Sequence, residues 1–114
     1  MIEKSGVEVW KALKDDIEVQ IITGVYKGGD KLPSVVELMN MYNVSRGTVQ
    51  KALKALNEEE TVISRGTKGV FVMPFVRELL LRKHRDELRK RYSDIVDEAM
   101  RIGLPIDEVC VNNH

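Results

Sequence analysis

Ser45-Arg46-Gly47-Thr48, followed by Gln50, Lys51 and Lys54 with no acid among them, is the stretch of this 114-residue chain best equipped for chemistry. That chemistry is recognition rather than bond-making. An arginine fork fits guanine O6 and N7 or a phosphate, or else stays a solvated charge. A glutamine amide fits adenine, although an exposed glutamine suits a helix with no partner at all. Ser45 suits the cap of a helix whose first N–H groups attract anions. Thr48 either touches such a partner or only fits the helix, and Lys51 and Lys54 either meet phosphate or stay in solvent. A second cationic stretch, Arg65-Gly66-Thr67-Lys68-Gly69, places cations beside glycines, as at a hairpin tip that meets phosphate or enters a minor groove. Gly66 and Gly69 have a sufficient reason in the turn itself.

Other chemistries find little support. His84 and His114 have no serine or carboxylate at catalytic spacing, and Gly66-Thr67-Lys68-Gly69 lacks the length of a phosphate-binding P-loop, so no enzyme is expected. Asp107, Cys110 and His114 fall at helical spacing, but zinc sites usually take four ligands and His114 is terminal, so neither metal nor cofactor is expected. Asn43-Val44-Ser45 fits the glycosylation pattern but reads better as a turn. The single Cys110 rules out an internal disulfide and fits a reducing compartment. The opening residues lack signal-peptide features and no apolar run nears the roughly 20 residues of a membrane span, so a cytoplasmic chain away from membranes is expected.

Formal net charge is zero, with 18 cations and 18 acids. The distribution is uneven: residues 44–57 carry Arg46, Lys51 and Lys54 and no acid, while acids gather at Asp15-Asp16-Glu18 and Glu58-Glu59-Glu60. A local basic face results, with modest non-specific affinity for nucleic acid.

The elements that must position these residues follow from spacing. Trp10, Leu13, Ile17 and Ile21 predict a helix over Val9 to Thr23, stopped by Gly24. After a turn at Lys27-Gly28-Gly29-Asp30 and an extended Lys31-Leu32, Ser34 and Glu37 form a capping box. The helix it starts buries Val35, Leu38, Met39 and Tyr42 and ends at Asn43. The next helix, from Ser45 to about Asn57, buries Val49, Leu53 and Leu56 and leaves Arg46, Gly47, Gln50, Lys51 and Lys54 outside. Thr61–Ser64 and Val70–Val72 are short β-branched strands around the glycine turn. The fold expected is mainly α with a small β-hairpin wing: a winged helix-turn-helix over residues 1–74, then a helical dimerisation tail over residues 75–114. In that tail Phe75 to about Ile102 reads as one helix, with Leu81, Leu88, Tyr92, Ile95, Ala99 and Ile102 along one face. Gly103-Leu104-Pro105 breaks it, and Ile106 to Val111 forms a final turn or two. The basic stretches Arg82-Lys83-His84-Arg85 and Arg89-Lys90-Arg91 are interleaved with acids, a solvated face with i,i+4 pairs. An apolar stripe of this length predicts pairing with a second copy about a two-fold axis, the alternative being a helix folded back on its own domain.

Gly29-Asp30-Lys31-Leu32-Pro33-Ser34, Val44-Ser45-Arg46-Gly47-Thr48-Val49, Lys51-Ala52-Leu53 and Arg65 through Val72 together resemble the DNA-binding domain of GntR-type bacterial transcription regulators, over about Val9 to Val72. The short tail is similar to that of the YtrA-type subfamily, in which helices after the wing form the dimer interface. The resemblance implies a homodimeric regulator, a repressor by family analogy, on an inverted-repeat operator of double-stranded DNA. The candidate DNA-binding set is Ser34, Ser45, Arg46, Gly47, Thr48, Gln50, Lys51, Arg65, Lys68 and Gly69, of which Arg46, Thr48, Lys68 and Gly69 match the family's contact positions. Three positions depart from its pattern: Val36 and Gln50 stand where arginines are usual, and Glu60 stands where glycine is usual before the wing strand. A small-molecule effector stays open as a further partner, although the tail has little volume outside a dimer cleft. The competing reading is a winged-helix protein-interaction module without specific DNA binding, toward which Val36, Gln50, Glu60 and the zero net charge lean.

Overall fold

Apolar side chains at three- and four-residue intervals bury one face of α1 (Gly6–Ile22) through Leu13, Ile17 and Ile21. In the computed structural model, residues 6–109 are described. Cys110, Val111 and His114, named above for a metal and a last helical turn, lie outside them. Pro33 and Ser34 set the entry to α2 (Val35–Tyr42). Ser34 N–H donates to Glu37 Oε1 at 2.8 Å and Glu37 N–H donates to Ser34 Oγ at 3.1 Å, so the capping box is formed at both bonds. The Ser34 backbone N–H, and after it the Ser34 hydroxyl, hold the exposed Glu37 carboxyl below the usual carboxylate range. Asn43 closes α2 in the left-handed conformation with φ 55°. The turn is therefore tight, and α3 (Arg46–Glu58) begins at once.

The α3 helix buries Val49, Ala52, Leu53 and Leu56. Strand β1 (Val62–Ser64) pairs antiparallel with β2 (Val70–Val72) in the register Val62↔Val72, Ile63↔Phe71, Ser64↔Val70. Beyond the expected hairpin, residues 29–32 cover the free edge of β2. Leu32 N–H donates to Val70 O, Gly29 N–H to Val72 O and Val72 N–H to Asp30 O, each at 2.8 Å, and Lys31 bridges Phe71. The loop before α2 and the wing are thus one hydrogen-bonded piece. Glu60, before β1, has φ 62°. That conformation costs a residue with a Cβ roughly 1–2 kcal/mol, which is the physical reason glycine suits the position.

Polar groups on α1 tie it to both neighbours. Tyr42 Oη donates to Asp16 Oδ2 at 2.5 Å, and Gln20 Nε2 donates to Asp16 Oδ2 at 2.8 Å and to Tyr42 Oη at 2.7 Å. Burial, then the Asp16 carboxylate, pushes the Tyr42 phenol well above its ordinary range. At the other end, Lys14 Nζ lies 3.4 Å from the buried Glu18 and 3.0 Å from Glu59 just past α3. Burial works to lower the Lys14 ammonium, but the Glu59 hydrogen bond and the charges of Glu18 and Glu59 leave it raised.

The long helix α4 (Val76–Arg101) starts one residue later than the sequence pattern suggests. Phe75 has φ 64° and is 93% exposed, and a residue at positive φ stands outside a right-handed helix. Two compact units result. The first runs to Leu80, because Val76 and Leu80 enter the core and Arg77 Nε donates to Ile22 O at 2.7 Å. The second begins at Leu81 and holds the rest of α4 and the short α5 (Ile106–Val109). Lys90 pairs with Asp94 at 3.2 Å and Arg101 with Glu98, as the mixed charges of that face required. Gly103, at φ 75°, ends α4, and Leu104 N–H donates back to Ala99 O at 2.8 Å. The result is the expected mainly helical fold with a two-stranded wing.

Tyr42→Phe removes the hydroxyl joining α1 to α2, and denaturant unfolding at neutral pH is expected to show a loss of about 1–3 kcal/mol. A raised phenol stabilises the fold below its unfolded value near pH 10 and loses that contribution as pH climbs toward the folded value. The wild type should therefore lose stability in that alkaline window, and the variant should lose less.

Candidate nucleic-acid interface

Ser45 is the N-cap of α3. Its Oγ accepts the Thr48 N–H at 3.2 Å and lies 3.0 Å from Thr48 Oγ1. That pair occupies the half-buried Thr48 within its own helix. Arg46, Gly47, Gln50, Lys51 and Lys54 all lie on the exposed side, as their spacing predicts. Nothing forbids a side chain at Gly47, where a Cβ would stand 4.0 Å from Ser45 Oγ. Lys51 is held more closely than expected: its Nζ lies 5.2 Å from the centre of the Trp10 ring on α1.

Gln50 and Lys54 look into a groove of about 270 Å³ with Val35, Leu53 and Asn57, closed on the wing side by Ser64 and Val70. Asn57 Oδ1 accepts the Ser64 N–H at 3.2 Å, fixing the wing against α3. Ser34, exposed at the start of α2, is committed to its capping box, and Val36 beside it is 51% exposed.

The wing tip is a 3₁₀ turn (Gly66–Lys68) rather than a minimal two-residue loop. Arg65 N–H donates to Gly69 O at 2.8 Å, Lys68 N–H to Arg65 O at 3.1 Å and Gly69 N–H to Gly66 O at 3.2 Å. The Arg65 guanidinium lies 5.6 Å from the centre of the Phe71 ring, and Lys68 is the cation within the tip turn itself. Gly69 combines φ 116° with ψ −167°, a conformation essentially confined to glycine. A Cβ there would also stand 2.6 Å from Lys31 Cε. Lys31 is therefore a further cation beside the tip, one that the sequence pattern does not place there. Its only signal is the extended Lys31-Leu32 pair, which reads as a linker although it is an edge strand.

Along the tail, Leu88, Tyr92, Ile95 and Ile102 are exposed and Leu81 is half-buried. Ala99, on the same face as Ile95 and Ile102, is only 3% exposed. It shares a cleft of about 340 Å³ with Asp94, Ile95, Glu98, Ile102 and Leu104.

A capped helix pair with a tight left-handed turn, followed by a two-stranded wing braced against the second helix, defines a winged helix-turn-helix. The chain belongs to the gntR family of bacterial regulatory proteins, whose model matches residues 10–72. It is 22% identical over 106 residues to the HTH-type transcriptional repressor YtrA of Bacillus subtilis, covering 93% of this chain and 82% of that protein. Because that pairing runs through the tail, the chain is a gntR-family regulator of the YtrA-like type. It is 44% identical over 68 residues to the uncharacterized HTH-type transcriptional regulator YurK of Bacillus subtilis, covering 60% of this chain but only 28% of that protein. Among solved structures, a transcriptional regulator from Oenococcus oeni shares the fold over 96% of this chain and 90% of its own, with TM-score 0.77 at 24% identity. The AraR DNA-binding domain in complex with operator ORX1 matches 63% of this chain and 81% of its own, with TM-score 0.55 at 30% identity. The family is regulatory, in agreement with the expectation that the chain is no enzyme.

Gly69→Ala places an ordinary residue in a glycine-only conformation, and a loss of roughly 1–3 kcal/mol is expected in thermal or denaturant unfolding. Gly47→Ala, on an open helical surface, is expected to keep or slightly raise stability, so the pair separates wing strain from a general intolerance of alanine.

Proposed function

We propose that the chain is a sequence-specific DNA-binding transcription repressor that acts as a homodimer on an inverted-repeat operator. The observation that carries this reading is the α3 surface: Arg46, Gly47 and Gln50 stand exposed on the first turns of a capped helix whose opposite face is wholly buried. A helix presented this way can enter a major groove with its N-terminal side chains toward base edges. Arg46 pairs with guanine or phosphate, Gln50 offers its amide to adenine, and Lys54 and Lys68 meet backbone. The wing, fixed to α3 through Asn57, brings Lys68 and Lys31 to the neighbouring phosphates. The operator complex of the AraR DNA-binding domain supports the assignment by likeness over this same unit, as does the repressor YtrA over nearly the whole chain.

In this reading residues 1–74 bind DNA and residues 75–114 dimerise, in a cytoplasmic protein. Leu81, Leu88, Ile95 and Ile102 recur at seven-residue intervals with Tyr92 among them, the repeat of a paired helix seam. Several of these side chains are exposed in the single chain, and a second copy would cover them. Ala99 lies beneath this surface as part of the cleft with Ile95, Ile102 and Leu104, a place in the tail unit with volume for a small-molecule effector. The half-exposed Val36 and the zero net charge favour the second reading, a winged helix that binds protein instead of DNA.

Retention on DNA-cellulose separates the two readings. A repressor should be retained at low salt and elute steeply, with affinity falling by roughly 10³–10⁵ from 50 to 200 mM salt if a dimer neutralises about 6–10 phosphates. Arg46→Ala should weaken binding to its operator by about 1–3 kcal/mol and relax choice at one base if Arg46 pairs with guanine. Unretained wild-type protein would favour the interaction module. Ile95→Asp puts a charge in the proposed seam, and sedimentation should then report a monomer with unchanged helical content. A dimer that persists in this variant would move the interface elsewhere.

A further inference from the structure

Two lysines from different helices converge on one indole. Lys51 Nζ of α3 lies 5.2 Å and Lys11 Nζ of α1 lies 5.8 Å from the centre of the Trp10 ring. Each contact is favourable by itself, since the ring face attracts a cation. Together they place two positive charges, from two different helices, beside one ring. Trp10 packs against the core, whereas both lysines are exposed. An anion that met both ammonium groups there would use side chains the ring has already ordered.

We propose that Lys11 and Lys51, ordered by Trp10, form a backbone-phosphate clamp at the flank of the recognition helix. The inference rests on the DNA-binding reading above and adds α1 to the contact surface. Lys51 is on the helix that carries Arg46 and Gln50, so the phosphate it takes belongs to the strand bordering the groove α3 enters. Lys11 extends that contact around the rim. A contact of this kind fixes register and orientation and reads no base. It also gives a neutral chain a concentrated point of charge where its net charge supplies none. Trp10 acts as a positioning residue, holding the two cations within reach without touching the phosphate itself.

Trp10 is the chain's single tryptophan, so its emission reports on this place alone. The test titrates the full chain with a fluorescently labelled mixed-sequence duplex at low salt, following duplex anisotropy for binding and indole emission for the clamp. It does so for the wild type, Lys11→Gln and Lys51→Gln, and repeats each titration across a salt series. The clamp requires an indole emission change that tracks binding. It also requires that either variant lower the salt slope by roughly 0.9 for each phosphate that a subunit no longer neutralises, with base preference unaltered. Binding with unchanged emission and an unchanged slope in Lys11→Gln would overturn the clamp and leave the DNA-binding reading standing. Absence of duplex binding by folded wild type would instead overturn that reading. Inorganic phosphate at matched ionic strength is the control. An equal emission change with it would replace the backbone clamp by a free-anion site, and no change with it supports the duplex backbone as the ligand.

Discussion

Everything the proposed interface does depends on one face of α3 being completely withdrawn from water. Val49, Ala52 and Leu56 have no exposure, and they pack in the same core as Leu13, Ile17 and Ile21 of α1 and Leu38 of α2. Burying a side chain the size of valine or leucine is worth about 1.5–3 kcal/mol, so the orientation of α3 about its own axis is strongly specified. A rotation that hid Arg46 or Gln50 would expose this stripe. The same packing that stabilises the domain therefore aims the polar face outward, and the caps at Ser34 and Ser45 set where along the axis that face begins.

Around this core, polar contacts also lock the angle between helices. Tyr42, Gln20 and Asp16 join α1 to α2, and Lys14 joins α1 to the end of α3 through Glu59. Each uses a residue on or beside a helix whose apolar face is already committed, so the three helices are pinned on both their dry and wet sides. The wing is pinned twice as well, by Asn57 from α3 and by the edge strand at residues 29–32. A recognition surface assembled from two helices and a hairpin needs such cross-bracing, because a small misplacement would separate side chains meant for one groove.

Much of this is legible in the sequence because the signals are local. Ser34 with Glu37, Ser45 before Arg46 and the short β-branched runs around Gly66 and Gly69 each specify geometry within a few residues. What is not legible depends on contacts between distant segments. The pairing of Lys31 with Phe71 closes the sheet edge across a long stretch of chain, and an extended dipeptide before a proline carries no mark of its partner. Spacing puts Lys51 correctly on the outer face of α3, but its engagement by Trp10 follows from how α1 crosses α3, which periodicity leaves open. Spacing puts Ala99 on the tail stripe, but the chain reversal at Gly103 that brings Leu104 back to its carbonyl is not marked by periodicity. Glu60 shows the reverse case. The sequence marks it as a departure from the family's glycine, and only the backbone supplies the reason, a left-handed residue at the entry to the wing.

The central claim is that the exposed face of α3 reads DNA sequence in a two-fold arrangement. Selection of binding sites by the purified chain from a random duplex library tests it most directly, at roughly 150 mM salt, where purely electrostatic binding is much reduced. The account requires enrichment of an inverted repeat whose two halves are equivalent, since each subunit presents the same helix. A pool that stays random, with protein shown folded and dimeric, would contradict it.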